Sequence, residues 1–447
     1  MLNFLLLKDL SNILGYTRGM DPLSIYKKIS GEDSVLLHSS RNDKKERYSI
    51  IAFDPFLVFE SKKNKIKLNG KVENGDPFDR LQSLLKKYKT KRSKRSILDG
   101  LVVGYFGYEA VHFIEKLPKK AKDDLKLADM KFGFYRDYFV FDHLANKVIF
   151  VGDKRKLKKK LKELKDKKIM RGGRSKKPQS NFTKQEYINA VKKVQEYVKV
   201  GDTFQVNLSQ RFEVETSSDP LDVYERLAQI NPSHFGAFID FGKIKLLCSS
   251  PERLVKLSGK TAWTRPIAGT RPRGKTKNKD RELEKELKNN EKELAEHLML
   301  VDLERNDLGK VCEFGSVEVD ELLKIEKYSH VMHLVSEVSG KLRNDKTNVD
   351  LIKAMFPGGT ITGCPKVRTM EIIDGLEPTV RGPYTGALGY FTLSGDLDFN
   401  MIIRTIIMKR KKAYIHVGGG IVYDSVPESE YVETINKGNA LFEALGV

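Results

Sequence analysis

The chain has 447 residues, enough for one large domain or two ordinary ones, and its 40% hydrophobic and 9% aromatic content suits a packed core rather than a disordered protein. Lys and Arg number 81 against 60 Asp and Glu, a net charge of +21; no RRM, KH, zinc-finger or helix-turn-helix signature accompanies it, so lysine-rich composition explains the charge and nucleic acid is not an expected partner. Cys248, Cys312 and Cys364 stand far apart without a CxxC pair, which argues against a disulfide framework or zinc site and makes a reducing cytoplasm the expected compartment.

The apolar start Met1–Leu7 stops at Lys8, too short for a signal segment, and no run reaches the ~20 residues of a membrane span. Up to about residue 150 the pattern predicts mixed strands and short helices. Ser34–Leu37, Tyr48–Phe53 and Val102–Tyr108 read as strands, Asp79–Lys87 as a helix, and Phe139–Val151 as two strands around Asp142–Asn146. Residues 151–180 read as a basic connection. The Lys154–Lys168 cluster has Leu157, Leu161 and Leu164 at helical spacing, a solvated amphipathic helix or a linker, and RGGRSKKPQS follows from Arg171 to Ser180. A new segment, 181–447, opens with a capping box, Thr183 and Glu186, ahead of Tyr187, Val191, Val194 and Val198 at helical spacing. Runs of helix and strand without regular βαβ alternation favour the α+β class.

Arg281–Gly309 is strongly helical in propensity, with Glu293, Glu296 and His297 at i, i+3 and i+4 on one face. Most such runs are solvated charged faces. This one passes directly into the apolar LMLVDL, and a carboxylate turned toward a core needs a metal or a shared proton. A second carboxylate group, Glu430 to Glu433, opens the expected last helix Glu428–Leu445, just after Gly418, Gly419 and Gly420. The triplet is either a tight strand turn or a place where backbone approaches an anion closely. Glu296 and Glu433 could share a magnesium ion only if the fold brings them together. RPIAGTRPRG, from Arg265 to Gly274, suits a carboxylate-bearing ligand through its arginines. FPGGTITGCPKVR, from Phe356 to Arg368, lacks Walker A spacing, but its N–H groups and Lys366 could hold an anion at a helix start. Arg404, in the apolar run MIIRTII, is either satisfied by an internal carboxylate or aimed at a ligand.

Together these segments resemble the chorismate-utilising enzymes, specifically the component I subunits of anthranilate synthase and aminodeoxychorismate synthase. The resemblance rests on GDTFQVNLSQRF (Gly201–Phe212), SSPERLV (Ser249–Val255), RPIAGTRPRG, EHLMLVDLERNDLG (Glu296–Gly309), YSHVMHLVSEV (Tyr328–Val338), FPGGTITGCPKVR, GPYTGALGYF (Gly382–Phe391) and GGGIVYDS, with looser matches at LLHSS (Leu36–Ser40), RYSIIAFDP (Arg47–Pro55) and GYFGYE (Gly104–Glu109). It implies large antiparallel sheets packed in a sandwich with helices outside. It also implies a magnesium ion held by Glu296 and Glu433, and substrate contacts from Gly269, Thr270, Tyr384, Arg404 and Gly418 to Gly420. By the same resemblance Glu293 is the general acid for the departing hydroxyl, and His333 acts in later steps of anthranilate formation.

Where water-adding relatives carry a lysine base this chain has Gln205, which cannot deprotonate water, so ammonia is the expected nucleophile. Ala268 stands where some aminodeoxychorismate synthases carry a lysine, yet QVNLSQRF, GGTITGCPK and GGGIV lean toward that group. The expected product is therefore 4-amino-4-deoxychorismate, with anthranilate plus pyruvate as the alternative. The tryptophan-feedback positions of anthranilate synthases correspond to Ser39 and to NPSHF with Pro232, His234 and Phe235. His234 replaces a rigid proline there, which puts tryptophan sensitivity in question. No nucleophilic-cysteine elbow of a glutaminase occurs in this chain, so a separate amidotransferase subunit is the expected ammonia source from glutamine.

Overall fold

The computed structural model describes residues 4–5, 21–40, 47–92, 100–163, 172–327 and 331–447. Most of the apolar start, residues 164–168 of the basic cluster, Arg171, and Tyr328–His330 of the YSHVMHLVSEV motif lie outside the described residues.

Several strands between Ser34 and Val151, among them Tyr48–Phe53, Leu101–Phe106 and Asp137–Asp142, are buried along nearly their whole length because both of their faces are covered. In Tyr48–Phe53, Ile50 and Ala52 join one buried cluster while Ile51 and Phe53 join another. In Leu101–Phe106, Val103 and Tyr105 face inward while Val102 and Phe106 face out beneath helices. Each fully buried side chain of this size contributes about 1.5–3 kcal/mol.

Among the described residues the strands form two 12-stranded sheets whose pairings are antiparallel. In the first, the N-terminal strands Asp137–Asp142, Tyr48–Phe53 and Ser34–His38 lead into Phe235–Phe241 and Ile244–Ser250. Thr405–Lys409, Lys412–Ile421 and Gln205–Glu215 follow. In the second, Ile267–Pro272, Val331–Lys341, Thr261–Thr264, Arg253–Ser258, Leu397–Met401 and Ala387–Thr392 lead into the N-terminal strands Leu101–Phe106, Met130–Tyr135 and Leu57–Lys62. The sheets pack face to face through a shared core that includes Ile50, Val140, Ile239 and Leu246 of the first and Val103, Tyr105 and Leu388 of the second. Helices cover the outer faces. Pro22–Ile29, Pro220–Ile230 and Pro427–Leu445 lie on the first sheet, and Pro77–Lys87, Glu291–Gly309 and Asn348–Met355 on the second. This is the α+β sandwich with helices outside that the sequence implied. Each sheet takes strands from both sides of the 151–180 segment.

Within that segment a helix spans Lys154–Glu163. Leu157 is fully buried in the core of the first sheet, and Lys160 pairs with Asp54 at 2.6 Å. The described part of the cluster is thus a helix docked on the first sheet through Leu157. No helix among the described residues is long and apolar enough to cross a membrane.

Candidate active site

The site is built around the start of strand Gln205–Glu215. Val206 and Leu208 pack outward beneath helices Lys184–Lys199 and Lys366–Leu376, so Gln205, Asn207 and Ser209 face the other side. In register beside them, Gly420 pairs with Asn207, Gly419 with Leu208 and Gly418 with Ser209. A Cβ on Gly418 would lie 2.7 Å from Asn207 Oδ1 and 2.8 Å from Tyr384 Oη, and one on Gly420 would collide with Gln205 Nε2. The glycine triplet is therefore the end of strand Lys412–Ile421, not a turn, and its missing side chains make room for neighbouring polar groups.

Glu296 enters this space from the second sheet's helix. The charged run expected as one helix is two, Lys277–Asn289 and Glu291–Gly309, parted at Asn290, whose side chain accepts from Glu293 N at 3.0 Å. Gln205 Nε2 donates to Glu296 Oε1 at 2.6 Å. Arg271 Nη1 donates to Glu293 Oε1 at 2.6 Å, while Arg271 Nε bonds Glu286 at 2.8 Å. His297, the third member of the expected face, is buried, with Nε2 2.7 Å from Ser336 Oγ, and so serves the sheet.

The facing strand Ile267–Pro272 breaks register with Val331–Lys341 between Ala268 and Thr270, a bulge centred on Gly269 at φ +63°. A Cβ there would collide with Glu293 Oε2 and lie 2.9 Å from Leu287 Cδ1, so position 269 requires glycine on steric and conformational grounds. The bulge sets Thr270 Oγ1 2.9 Å from His333 Nδ1.

Glu433 arrives from helix Pro427–Leu445. A Cβ on Gly419 would lie 3.5 Å from both Glu433 Oε1 and Glu430 Oε2. Lys437, one turn on, pairs with Glu433 at 2.6 Å and donates to Gly418 O at 3.2 Å. Burial, with the Glu433 charge beside it, pushes the Glu430 carboxyl up. Glu433 thus stands beside the glycine strand, and Glu296 reaches the Gln205 amide that lies over Gly420. Among the described residues no three His, Cys, Asp or Glu gather to hold a metal ion. Two carboxylates completed by ligand oxygens and water form the donor set that suits magnesium, and crowded carboxylates already attended by an ammonium fit a cation.

Tyr384 is buried and stacks on His416, centroids 5.0 Å apart at 10°. Behind it the buried Arg381–Glu377 pair, at 2.6 Å, ties in Asn207 O at 2.6 Å and fixes this wall. Two expectations change. Arg404 is not inside a strand: Met401 ends a strand of the second sheet, Thr405 begins one of the first, and Arg404 sits at the crossing with φ +48°. Lys366 begins its helix as expected, but its ammonium pairs with the buried Asp307 carboxylate and donates to Met355 O at 3.4 Å, inside the protein.

Sequence reasoning gave no role to Glu252, a lone acid in SSPERLV where the chain passes from the first sheet to the second. It is 6% exposed, and Thr360 Oγ1 donates to its Oε1 at 2.9 Å. Burial pushes its carboxyl up to about 7, against the opposing pull of Thr360, the Ile267 N–H and the Arg404 charge. Its signal was a single acid between two apolar strand runs. Lys437 was also missed, and its signal was the i, i+4 spacing from Glu433. Asn207 Oδ1, buried without a hydrogen-bond partner beside Gly418 and Tyr384, had no signal apart from its strand.

The positions set apart as regulatory gather elsewhere. Ser39, His234 and Phe235 line a cavity of about 410 Å³ between the sheets, with His38, Arg47, Lys256 and Asp398. Pro232 lies in the adjoining loop, where Ser233 O accepts from Ser40 N at 3.1 Å.

A family model for chorismate binding enzymes matches residues 33–443. The anthranilate synthase component 1 of Acetivibrio thermocellus is 42% identical over 456 residues, covering 95% of this chain and 92% of that protein. The aminodeoxychorismate synthase component 1 of Bacillus subtilis is also 42% identical, over 436 residues, covering 93% of this chain and 92% of that protein. The crystal structure of anthranilate synthase component I from Streptococcus pneumoniae superposes with a TM-score of 0.80 at 33% identity, over 94% of this chain and 97% of that one. The chain belongs to the chorismate-binding enzyme family and is a chorismate-utilising enzyme.

Proposed function

We propose that the chain replaces the C4 hydroxyl of chorismate with an amino group from ammonia, giving 4-amino-4-deoxychorismate, with magnesium as cofactor. The observation that carries amination is the 2.6 Å bond from Gln205 to Glu296. An amide cannot take a proton from water, so the nucleophile must arrive already nucleophilic, as neutral ammonia does. Glu296 and Glu433 would hold the ion, whose charge, when bound, supplies an anchor for the ring carboxylate.

The other steps belong to side chains. Lys437 and the Gly418–Gly420 backbone supply further donors to that carboxylate, and Arg404 and Thr270 suit the carboxylate of the enolpyruvyl arm. Glu252 replaces Glu293 as the acid in this reading. Its neutral carboxyl protonates the departing hydroxyl, the C4–O bond breaks to release water, a C–N bond forms, and the surplus ammonium proton returns to the Glu252 carboxylate. Glu293, facing Arg271, orders the bulge. Relatives named component 1 imply a second component, here a glutamine amidotransferase that supplies the ammonia.

Anthranilate synthesis is the second reading, favoured by the Thr270–His333 contact, which sets an imidazole beside the site for proton removal during pyruvate loss. Product analysis with chorismate, magnesium and ammonium separates the two. The expected result is an amino-enolpyruvyl product that a separate lyase converts to 4-aminobenzoate. Direct accumulation of anthranilate overturns the first reading in favour of the second.

A further inference from the structure

We infer that Gln205 is a positioning residue for the divalent cation, holding Glu296 in the one orientation that presents its second carboxylate oxygen to the metal. The inference rests on the magnesium site proposed above. A glutamate on an open helix turn can rotate and offer either oxygen, and that freedom is lost on binding a metal. Here Glu296 Oε1 is occupied by Gln205 Nε2 at 2.6 Å, which leaves Oε2 for another partner.

The amide is itself held. Gln205 is 6% exposed, and its backbone pairs with Cys364 on one side while its carbonyl accepts from Thr203 Oγ1 at 3.1 Å. Its side chain lies so close over Gly420 that a methyl group there would displace it. A neutral donor suits the task, because it orients the carboxylate without cancelling the charge that attracts the ion. Gly420 thus acquires a reason beyond substrate approach: it is the floor on which the Gln205 amide rests.

The test measures Mn²⁺ binding to the purified full chain, by the electron paramagnetic resonance of free Mn²⁺ and by calorimetry. Gln205→Met removes the donor at similar length. Gly420→Ala pushes the amide away without altering either partner, and carries the test alone if the methionine variant fails to fold. Both are expected to bind Mn²⁺ about 10- to 100-fold more weakly, the usual effect of losing a partner that orients a metal ligand, with raised magnesium restoring turnover. Glu296→Gln is expected to lose binding altogether. Wild-type affinity in both Gln205→Met and Gly420→Ala, with Glu296→Gln weakened, overturns the inference and leaves the metal site standing. Unchanged affinity in Glu296→Gln overturns the magnesium reading beneath it.

Discussion

Glu252 and Glu293, the two glutamates weighed as the acid of the proposed reaction, have different surroundings. Glu293 meets the Arg271 guanidinium at 2.6 Å and is engaged as its ion-pair partner. Glu252 meets a threonine hydroxyl and low-dielectric walls, and its carboxyl, pushed up to about 7, keeps a proton to give near neutral pH. Glu252→Gln is therefore expected to lower kcat by about 10²–10⁴-fold at unchanged fold, and the wild-type rate should fall as pH rises through about 7, where the acid is spent. Steady-state kinetics across pH checks both, and a variant with wild-type kcat would return the acid to another residue. Glu304 follows the same physics. It is 2% exposed, Thr264 Oγ1 donates to it at 3.1 Å, and burial with the Asp307 charge pushes it up to about 8. Its folded pKa lies above the ordinary glutamate value of 4.5, so the native chain binds more protons than the unfolded one between these limits. Its stabilising contribution is complete below about 4.5 and is lost as pH rises through about 8. Glu304→Gln should flatten the decline of the unfolding midpoint with pH over that window, measured by thermal denaturation from pH 5 to 9.

At the scale of elements, the bulge at Gly269 couples backbone shape to side-chain placement. Gly269→Ala forces a left-handed alanine and drives a methyl into Glu293 Oε2, with an expected loss of about 1–3 kcal/mol in chemical denaturation and a larger loss of turnover as Glu293 and Thr270 shift. Elements with local causes were legible in the sequence. The capping box at Thr183 and Glu186 starts helix Lys184–Lys199 as read, and Pro427–Leu445 matches the expected last helix within one residue at its start. The break at Asn290 was missed because the charged run was read as one helix, although Asn290 followed three positions later by Glu293 is a helix-start pattern. Lys366 was misplaced because its counter-ion, Asp307, lies 59 positions away. Arg404 was read as a strand residue because the apolar pattern MIIRTII continues across a change of sheet that leaves no mark in periodicity. Glu293, Glu296 and Glu433 were singled out by motif, whereas Glu252 drew notice only through its burial and raised proton affinity.

At the scale of the whole molecule, the division at 151–180 separates stretches of sequence but not folding units. Ser34–His38 pairs with Phe235–Phe241, and Leu101–Phe106 with Ala387–Thr392. Residues 1–163 and 172–447 made separately should each lack the strands that complete both sheets, and are expected to be insoluble or unfolded by circular dichroism. Co-expression should recover soluble complex and activity; a fragment that folds and turns over chorismate alone would contradict this. The same pairing also imposes a waiting time. At ~5–20 residues per second of synthesis, the edge of Leu101–Phe106 precedes its partner Ala387–Thr392 by roughly 280 residues, on the order of 15–60 s. During that interval the nascent chain carries an unpaired, strongly apolar strand edge. How this protein is handled on the ribosome, by holding chaperones or by slow release, is therefore a demand written into its topology as firmly as the position of its glutamates.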